Sequence, residues 1–326
     1  MLTHKDHLKN KKNLLAFSAG VDSTALFFLL LQEKIDFDIA IVDYNTRQQS
    51  KEETLYAQTL AKQYNLTCHT LQAPPITNNF EAKAREIRYQ FFEQLINQHH
   101  YNNLLTAHHL GDRFEWMLMQ FCKGAGCVEL CGLEGIESKD GYKLIRPLLH
   151  LDKEDLLAYL HTHKIKYFHD SSNDDEKYKR NTFRKHHAQP LLKEYKEGIL
   201  KSFAYLDEDR SQLITQTNIT KINQFAYFPS SHKRSDLVHI DRYFKSINKL
   251  LTYKEKELLK HNKAVVIGRQ YIVVQEEKYI FIAPYKTEQV FTKKFKEQMR
   301  LLKIEPKLRG YLAEDAEALE ALLSFL

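Results

Sequence analysis

The chain has 326 residues, 43% of them hydrophobic and 28% charged, with a formal net charge of +6, which is ordinary for a globular protein of about two domains. No apolar run approaches the ~20 residues of a membrane-spanning helix, and the polar first residues lack the apolar core of a signal peptide. Four cysteines are too few for a disulfide scaffold, so we expect a cytoplasmic protein with no membrane segment.

The first element is an apolar strand followed by a turn of small residues and a helix. Residues 14–17 are apolar, residues 18–23 read Ser-Ala-Gly-Val-Asp-Ser, and a second apolar run follows. A strand that enters a helix through such a turn presents backbone N–H groups at the helix N-terminus, where proteins bind phosphate. Gly20 allows close approach to a ligand, and Ser18 and Ser23 add hydroxyl donors.

Asp22 is the unusual member of this turn. A carboxylate repels a neighbouring phosphate unless a divalent cation lies between them, so Asp22 is the candidate ligand for Mg²⁺. The alternative is an ordinary helix N-cap, in which Asp22 or Ser23 accepts hydrogen bonds from the first turn. Two serines beside an aspartate fit the phosphate site better.

Short apolar segments then alternate with longer amphipathic ones. Strands are predicted at 37–42, 66–71 and 104–106, and helices at 50–64, 79–99 and 112–121. This alternation predicts an α/β domain with a Rossmann-like parallel sheet covered by helices on both faces. Ligands of such sheets bind beyond the carboxyl ends of the strands, where residues 18–23 are expected to lie.

Two histidines and two carboxylates follow the last of these strands. His108 and His109 stand near its end, and Asp112 and Glu115 are three residues apart at a helix start, so the two carboxylates share one face. Such a pair can bind Mg²⁺, neutralise a cationic substrate or accept a proton from an amine, and an imidazole here can contact phosphate. The alternative is the acid enrichment of an ordinary helix N-terminus, with the histidines capping it or partly packed.

The pattern becomes mainly helical from residue 152, and the composition changes again near residue 229. A helix predicted at 240–259 precedes a hairpin-like alternation at 265–282. We therefore predict a catalytic domain at 1–195, a helical linker at 196–228 and a small α/β domain at 229–326.

The positive charge lies in the C-terminal part of the chain. Residues 1–229 contain 29 basic and 29 acidic residues, whereas residues 230–326 contain 19 and 13. Within the latter, residues 286–309 hold eight basic and three acidic residues. Such an excess suits a polyanion such as RNA, and a lysine-rich solvated surface explains it about equally well.

A second basic segment mixes cations with aromatic residues. Residues 177–187 contain five lysines and arginines and no acid, interleaved with Tyr178 and Phe183. Cations bind phosphate, and aromatic rings stack on unpaired bases. Arg180 and Arg184 are therefore expected to approach RNA or a nucleotide, the alternative being a solvated helix start.

Three cysteines are close in sequence. Cys122, Cys127 and Cys131 are separated by four and three residues, whereas zinc and iron–sulfur sites typically use pairs separated by two. We expect packed or idle thiols and keep a metal cluster as the alternative.

Residues 18–23 resemble the Ser-Gly-Gly-x-Asp-Ser motif of the PP-loop (N-type) ATP pyrophosphatases, which split ATP between its α and β phosphates. Ala19 replaces the first glycine of that motif. The replacement is tolerable only if the position does not need a positive φ.

Further motifs, in the same chain order, resemble those of the tRNA(Ile)-lysidine synthetases. They are residues 81–89, residues 107–115, Ile-Arg-Pro-Leu-Leu at 145–149, Asp-Ser-Ser-Asn at 170–173, and Arg-Asn-Thr-Phe-Arg at 180–184 with Pro190. Three positions depart from the family pattern. Gly111 stands where the family usually has a second aspartate, Trp116 where it has threonine, and Tyr44 where it has histidine.

The resemblance implies an enzyme that uses ATP and Mg²⁺ to join L-lysine to C2 of the wobble cytidine in isoleucine tRNA with the CAU anticodon. It implies catalytic roles for Asp22, Asp112 and Glu115, with Asp22 also the tentative Mg²⁺ ligand. The implied ATP-binding residues are Ser18, Ala19, Gly20, Val21, Asp22 and Ser23. The implied contacts with tRNA or substrate are Arg85, Arg88, His108, Arg146, Asn173, Arg180 and Arg184.

Two other functions stay open on the sequence. A PP-loop tRNA thiolase would use sulfur and reactive cysteines instead of lysine. A non-catalytic module would bind tRNA without consuming ATP. Association into a homodimer is also left open.

Overall fold

The computed structural model describes residues 1–45, 48–169, 179–287 and 291–325, with the side chains of Gln48, Lys179 and Arg180 left out. The chain forms two compact units, Met1–Asp207 (unit 1) and Glu208–Leu326 (unit 2). Over these ranges, no helix combines the length and the apolar character needed to cross a membrane.

Unit 1 alternates strands and helices. Its strands are β1 (Asn13–Ala16), β2 (Asp38–Asp43), β3 (Cys68–Gln72), β4 (Asn103–Leu105), β5 (Ile136–Ser138) and β6 (Lys143–Ile145). Its helices are α1 (Lys5–Leu8), α2 (Val21–Gln32), α3 (Gln48–Gln63), α4 (Phe80–His99), α5 (Leu110–Phe121), α6 (Cys127–Leu130), α7 (Lys153–Thr162), α8 (Lys179–Phe183) and α9 (Gln189–Leu213, which runs into unit 2). A π-helix (Arg184–Ala188) separates α8 from α9.

The strands of unit 1 form one six-stranded sheet in the order β3-β2-β1-β4-β6-β5. All neighbours are parallel except β5, which pairs antiparallel with β6. The predicted parallel α/β sheet is confirmed. Strands β5 and β6 were not predicted.

Both faces of this sheet are covered. On one face, α2 contributes Leu26, Phe27 and Leu30, all fully buried, to a core shared with Leu156 and Leu160 of α7. On the other face, α4 packs through an apolar stripe against the strands. Helix α2 is apolar on nearly all sides because the sheet and neighbouring helices enclose it. Its N-terminus is thereby held at the carboxyl end of β1.

Helix α5 is fixed by a separate small core. Leu110 and Phe114 pack against Leu192 and Phe203 of α9. The Arg113 side chain adds polar contacts, with Nε donating to the Cys131 carbonyl at 2.8 Å and Nη2 to Asp207 Oδ1 at 2.6 Å. The side of α5 that carries Asp112 is left facing away from α9.

Unit 2 contains a five-stranded antiparallel sheet in the order β7-β8-β11-β10-β9. Its strands are β7 (Thr220–Ile222), β8 (Phe225–Pro229), β9 (Ala264–Ile267), β10 (Tyr271–Gln275) and β11 (Tyr279–Pro284). Its helices are α10 (Lys233–Ser246), α11 (Tyr253–His261), α12 (Lys293–Leu301), α13 (Arg309–Leu312) and α14 (Ala316–Leu323). Alternate strand residues enter two cores, one with α10 and α11 and one with α12, α13 and α14.

Candidate active site

The turn between β1 and α2 is an open helix N-terminus. Gly20 is the N-cap residue, and no side chain caps the helix. The first backbone amides of the helix, from Val21 to Ser23, therefore have no partner within the helix. They lie beyond the carboxyl end of β1, where backbone N–H groups and the helix dipole favour an anion.

The two serines of the turn hold it together. Ser23 Oγ accepts a hydrogen bond from the Ser18 backbone N–H at 3.1 Å, and the two hydroxyl oxygens are 3.0 Å apart. Ser23 is buried. These contacts close the turn before any ligand binds and leave its backbone preorganised for phosphate.

The left-handed residue of the turn is Ala19, so the condition that this position needs no positive φ is not met. Ala19 has φ 58°, whereas Gly20 has an extended backbone with φ −75°. This conformation directs the Ala19 carbonyl to the Phe168 N–H at 2.9 Å, while the methyl group is fully buried. For a residue with a Cβ, the left-handed conformation costs about 1–2 kcal/mol. The core contact and the hydrogen bond offset that cost.

Substitution at Ala19 tests this strain. We expect Ala19→Val to lower the free energy of unfolding by about 2–4 kcal/mol, because a β-branched residue opposes a positive φ and overfills the core. Ala19→Gly should stay within about 1 kcal/mol of the parent. Glycine relieves the backbone strain of the folded state, but its greater conformational freedom stabilises the unfolded state, and the two effects oppose each other. Ala25→Val, at a fully buried position of α2, is the control for volume alone. Urea unfolding measures the free energy of unfolding of all three variants. An equal loss in Ala19→Val and Ala25→Val would show that added volume, and not backbone strain at position 19, causes the effect.

Asp22 lies at the first turn of α2 with one oxygen unsatisfied. Its Oδ1 is buried and has no hydrogen-bond partner among the residues that the structure describes, while Oδ2 is 3.9 Å from His109 Nε2. Burial raises the pKa of Asp22 above its ordinary value, His109 opposes that rise, and the nearby Asp112 carboxylate adds to it. An orphaned carboxylate oxygen beside a phosphate-binding turn fits a Mg²⁺ ligand, because Mg²⁺ takes one or two carboxylates together with substrate phosphates.

His109, rather than His108, faces Asp22. His109 is the N-cap of α5, and its Nδ1 accepts from the Gly111 N–H at 3.0 Å. Because a backbone amide can only donate, the neutral ring carries its proton on Nε2. That nitrogen lies 3.9 Å from Asp22 Oδ2 and 3.6 Å from Asp112 Oδ2. His108 instead has Nδ1 2.9 Å from Thr106 Oγ1.

Gly111 makes the position of the His109 ring possible. A Cβ on residue 111 would lie 2.7 Å from His109 Cε1 and 3.0 Å from Nδ1. Any other residue would displace the ring from the helix end. The glycine at this position, a departure from the family pattern, is thus tied to the way His109 caps α5.

Arg184 contacts both carboxylates of α5. Its Nε donates to Glu115 Oε2 at 2.9 Å, and its Nη2 is 3.6 Å from Asp112 Oδ1. Glu115 is only 1% exposed, so its charge requires close compensation. Asp112 Oδ2 also accepts from the His109 backbone N–H and so completes the helix cap. The structure therefore brings Asp22, Asp112, Glu115 and Arg184 together, with His109 between them.

Three of the other predicted residues make contacts with residues outside this group. Arg85 on α4 is exposed, with its guanidinium 4.6 Å from the Tyr89 ring centroid, and Arg88 forms a hydrogen bond with the Tyr44 hydroxyl. Arg146 is buried and donates to the Glu134 carbonyl at 2.7 Å and to Glu137 at 3.1 Å, while its Nε has no partner among the described residues. Its contact with tRNA or substrate stays a prediction. Asn173 lies outside the described residues, and Arg180 is described only as backbone in α8.

The three neighbouring cysteines differ in their surroundings. Cys122 is exposed, Cys127 is partly buried, and Cys131 is buried with its thiol donating to the Cys127 and Leu206 carbonyls at 3.1 Å. Within the described part of the chain, no group of three His, Cys, Asp or Glu side chains is arranged to hold a metal ion.

Comparison with known proteins agrees with this geometry. Residues 2–191 match the PP-loop domain family. The tRNA(Ile)-lysidine synthase of Wolinella succinogenes is 45% identical over 312 residues, which are 95% of each chain. The tRNA(Ile)-lysidine synthase of Helicobacter pylori strain 26695 is 41% identical over 313 residues, 95% of this chain and 92% of that protein.

Among solved structures, the U34-tRNA thiolase of Methanococcus maripaludis, with its [4Fe-4S] cluster, shares the fold of this chain. The TM-score is 0.52 at 17% identity, and the match covers 65% of this chain and 76% of that one. At this identity the likeness concerns the fold alone. The near full-length sequence matches, together with the phosphate-binding turn and the acidic group beside it, show that the chain belongs to the PP-loop family and, within it, to the tRNA(Ile)-lysidine synthases.

Proposed function

We propose that this enzyme uses ATP to ligate L-lysine to C2 of the wobble cytidine of isoleucine tRNA with the CAU anticodon, releasing AMP and pyrophosphate. One observation carries the proposal. The open N-terminus of α2 with Asp22 faces, across His109, the Asp112 and Glu115 carboxylates. A phosphate-binding turn and an acidic pair suited to an amine thus lie side by side.

The first step activates the cytidine. Its C2 is a poor electrophile because the attached oxygen is a poor leaving group. The O2 atom attacks the α-phosphorus of ATP, the new O–P bond forms, and the bond to the bridging oxygen of the β-phosphate breaks. The departing pyrophosphate gains negative charge next to the amides of residues 21–23, which are preorganised to stabilise it.

Asp22 is the residue that would hold Mg²⁺ in this step, through the carboxylate whose Oδ1 has no partner within the described ranges of the chain. When bound, the ion supplies charge neutralisation for the polyphosphate. The His109 Nε2–H, which faces Oδ2, keeps the Asp22 carboxylate oriented toward the turn.

The second step forms the carbon–nitrogen bond. Asp112 and Glu115 bind the ε-ammonium of lysine, and one of them accepts its proton, since only the neutral amine can attack C2. The amine adds to C2, and AMP leaves with the former O2. Arg184 already contacts both carboxylates, so it holds them in place and limits the space that the ammonium group can enter.

Further contacts with tRNA are assigned to unit 2 and to Arg85 and Arg88 of α4. Helix α12 and the residues after it border a cavity of about 530 Å³ whose lining includes Phe291, Phe295, Lys293, Lys296 and Arg300. Cations beside aromatic rings suit a nucleic acid strand. This arrangement supports a tRNA contact by the basic C-terminal domain, beyond the helical linker that we predict at 196–228.

Replacing Lys293 and Lys296 together by Gln tests this contact. We expect the KM for tRNA at low salt to rise about 3–10-fold and the slope of log binding constant against log salt to fall by about two, one for each lost phosphate contact. Lys254→Gln with Lys278→Gln, two exposed lysines elsewhere in unit 2, is the matched control. An equal change in both double variants would contradict a specific contact.

One assay tests the proposed activity itself. The full chain is incubated with isoleucine tRNA, ATP, Mg²⁺ and labelled lysine, and label in RNA is measured together with AMP and pyrophosphate. Lysine incorporation with stoichiometric AMP is the expected result. RNA binding without AMP would favour the non-catalytic module, and AMP release that requires a sulfur donor and the three cysteines would favour the thiolase. Cytoplasmic location and a homodimer stay predictions.

A further inference from the structure

The single tryptophan of the chain lies exposed on the catalytic helix. Trp116 is 47% exposed, although tryptophan is a residue that proteins bury on average. Helix α5 turns Leu110, Phe114 and Leu118 toward α9. Trp116 projects from the opposite side, where its ring contributes nothing to that core.

The position of Trp116 relates it directly to the active site. Asp112 and Trp116 are four residues apart, so they share one side of α5 and are separated by about 6 Å along the helix axis. Glu115 is the preceding residue. The indole therefore stands about one helical turn from the carboxylates that we assign to the lysine amine.

One edge of the indole lies near the backbone of Gly132. A Cβ built on Gly132 would lie 3.5 Å from Trp116 Cδ1 and 3.4 Å from Arg113 Cγ, and Gly132 has a positive φ of 69°. A side chain at position 132 would therefore begin in contact with the indole, and the glycine leaves that space free. The exposed part of the ring stays open to a ligand.

We propose that Trp116 stacks on an unpaired base next to the target cytidine and so positions that cytidine for adenylation. The proposal rests on the proposed function, because it takes the substrate to be an anticodon loop. A cytidine that enters the active site loses its stacking neighbours, and the indole face replaces that contact for the adjacent base.

A base suits this surface better than a protein partner does. The other strongly exposed aromatic residue of α5, Phe121, lies five residues on and about 140° around the helix. The two rings therefore form no continuous apolar patch on α5, as a protein interface would require. An isolated aromatic ring beside ionised groups is typical of base stacking in single-stranded RNA recognition.

Tryptophan fluorescence tests the proposal, because Trp116 is the only source of indole emission. We expect an anticodon stem-loop RNA to quench the emission of the full chain in saturable fashion. An otherwise identical RNA with an abasic nucleotide on one side of the cytidine should quench much less. If an RNA that is abasic on the 5′ side of the cytidine and one that is abasic on the 3′ side both quench as strongly as the intact RNA, the proposal is overturned.

Kinetics of the lysine ligation add a second measurement. Trp116→Leu should raise the KM for tRNA about ten-fold with little change in the KM for lysine or ATP, whereas Trp116→Phe, which keeps a ring, should stay within about three-fold. With the abasic RNA that fails to quench, the parent and Trp116→Leu should show the same KM, because the base on which the indole stacks is missing. Phe121→Leu removes a more exposed ring from another side of α5 and should leave the KM for tRNA unchanged.

The outcomes separate the two proposals. If the parent enzyme ligates lysine but Trp116→Leu behaves like Phe121→Leu, stacking is wrong and the function stands. If the intact RNA quenches the parent more strongly than the abasic RNA does, but no lysine is incorporated into the RNA, the stacking proposal stands and the proposed function fails.

Discussion

Asp22→Asn is expected to lower kcat/KM for lysine ligation by about 10²–10³-fold while making the folded protein more stable. The loss follows from the removal of the one ionised group at the phosphate-binding turn. The gain follows because burial raises the pKa of Asp22, so the ionised side chain opposes folding. Ligation assays and thermal unfolding at pH 8 measure the two effects, and an increase in Tm of about 1–3 °C is expected.

The pH dependence of this gain has a definite sign. A carboxyl with a raised folded pKa favours the folded state fully below its unfolded pKa and loses that contribution as the pH rises through the folded value. The difference in Tm between Asp22→Asn and the parent should therefore be positive at pH 8 and shrink toward zero near pH 4. Asp140→Asn, at an exposed turn, is the matched control and should show no such trend. An active Asp22→Asn variant would refute the catalytic role.

Arg184→Met is expected to lower the free energy of unfolding by about 3 kcal/mol, because it removes the guanidinium from a carboxylate that is only 1% exposed. It should also raise the KM for lysine at least ten-fold, since the acidic pair loses the cation that holds it in place. Urea unfolding and ligation kinetics at varied lysine concentration measure these effects. Arg184→Lys should recover only part of either loss, because a point charge cannot reproduce the two contacts of the guanidinium.

A double variant separates stability from function. Arg184→Met combined with Glu115→Gln removes both charges, so much of the lost stability should return while the ligation activity stays absent. Lys193→Met, at an exposed position of α9, controls for the loss of a cation and should change neither property. If the double variant were as unstable as Arg184→Met alone, the contact with Glu115 would not be the source of the effect.

The sequence predicts the sheet well because its information is local and periodic. Apolar runs with turn residues between them place β1, β2, β3 and β4, and the turn at 18–23 follows from small residues ahead of an apolar helix. Strands β5 and β6, which are as short as β4, are missed. Strand β5 is held by its pairing with β6, and β6 by its pairing with the distant β4, which no local pattern reports.

Within the site, the sequence identifies the acidic residues but not their partners. The spacing of Asp112 and Glu115 places both on one helix, yet the contact with Arg184 joins residues 69 positions apart. His108 and His109 are indistinguishable by type, and only the N-cap position directs His109 toward Asp22. That signal was available, since a residue that precedes a helix start is a candidate cap.

Ala19 and Arg146 show what a motif letter leaves out. The resemblance leaves open whether position 19 needs a positive φ, and it implies that Arg146 contacts tRNA or substrate. In the folded chain, Ala19 has φ 58° and its carbonyl accepts from the Phe168 N–H, while Arg146 donates to Glu134 and Glu137 and keeps its Nε without a partner among the described residues. These contacts join residues far apart in the chain, so no local motif reveals them.

The π-helix at Arg184–Ala188 carries a consequence for how this segment tolerates insertions and deletions. Arg184 must reach the carboxylates of α5, while Ala188 and Leu192 must face the apolar side of the same helix. A π turn accommodates one more residue than an α turn, so it satisfies both demands within one continuous helical run. Closing the π turn to regular α geometry without removing a residue would rotate one set of contacts by about 100° relative to the other. Deleting one residue would remove the turn and keep the two sets of contacts in phase, so this segment tolerates a single deletion better than a single insertion.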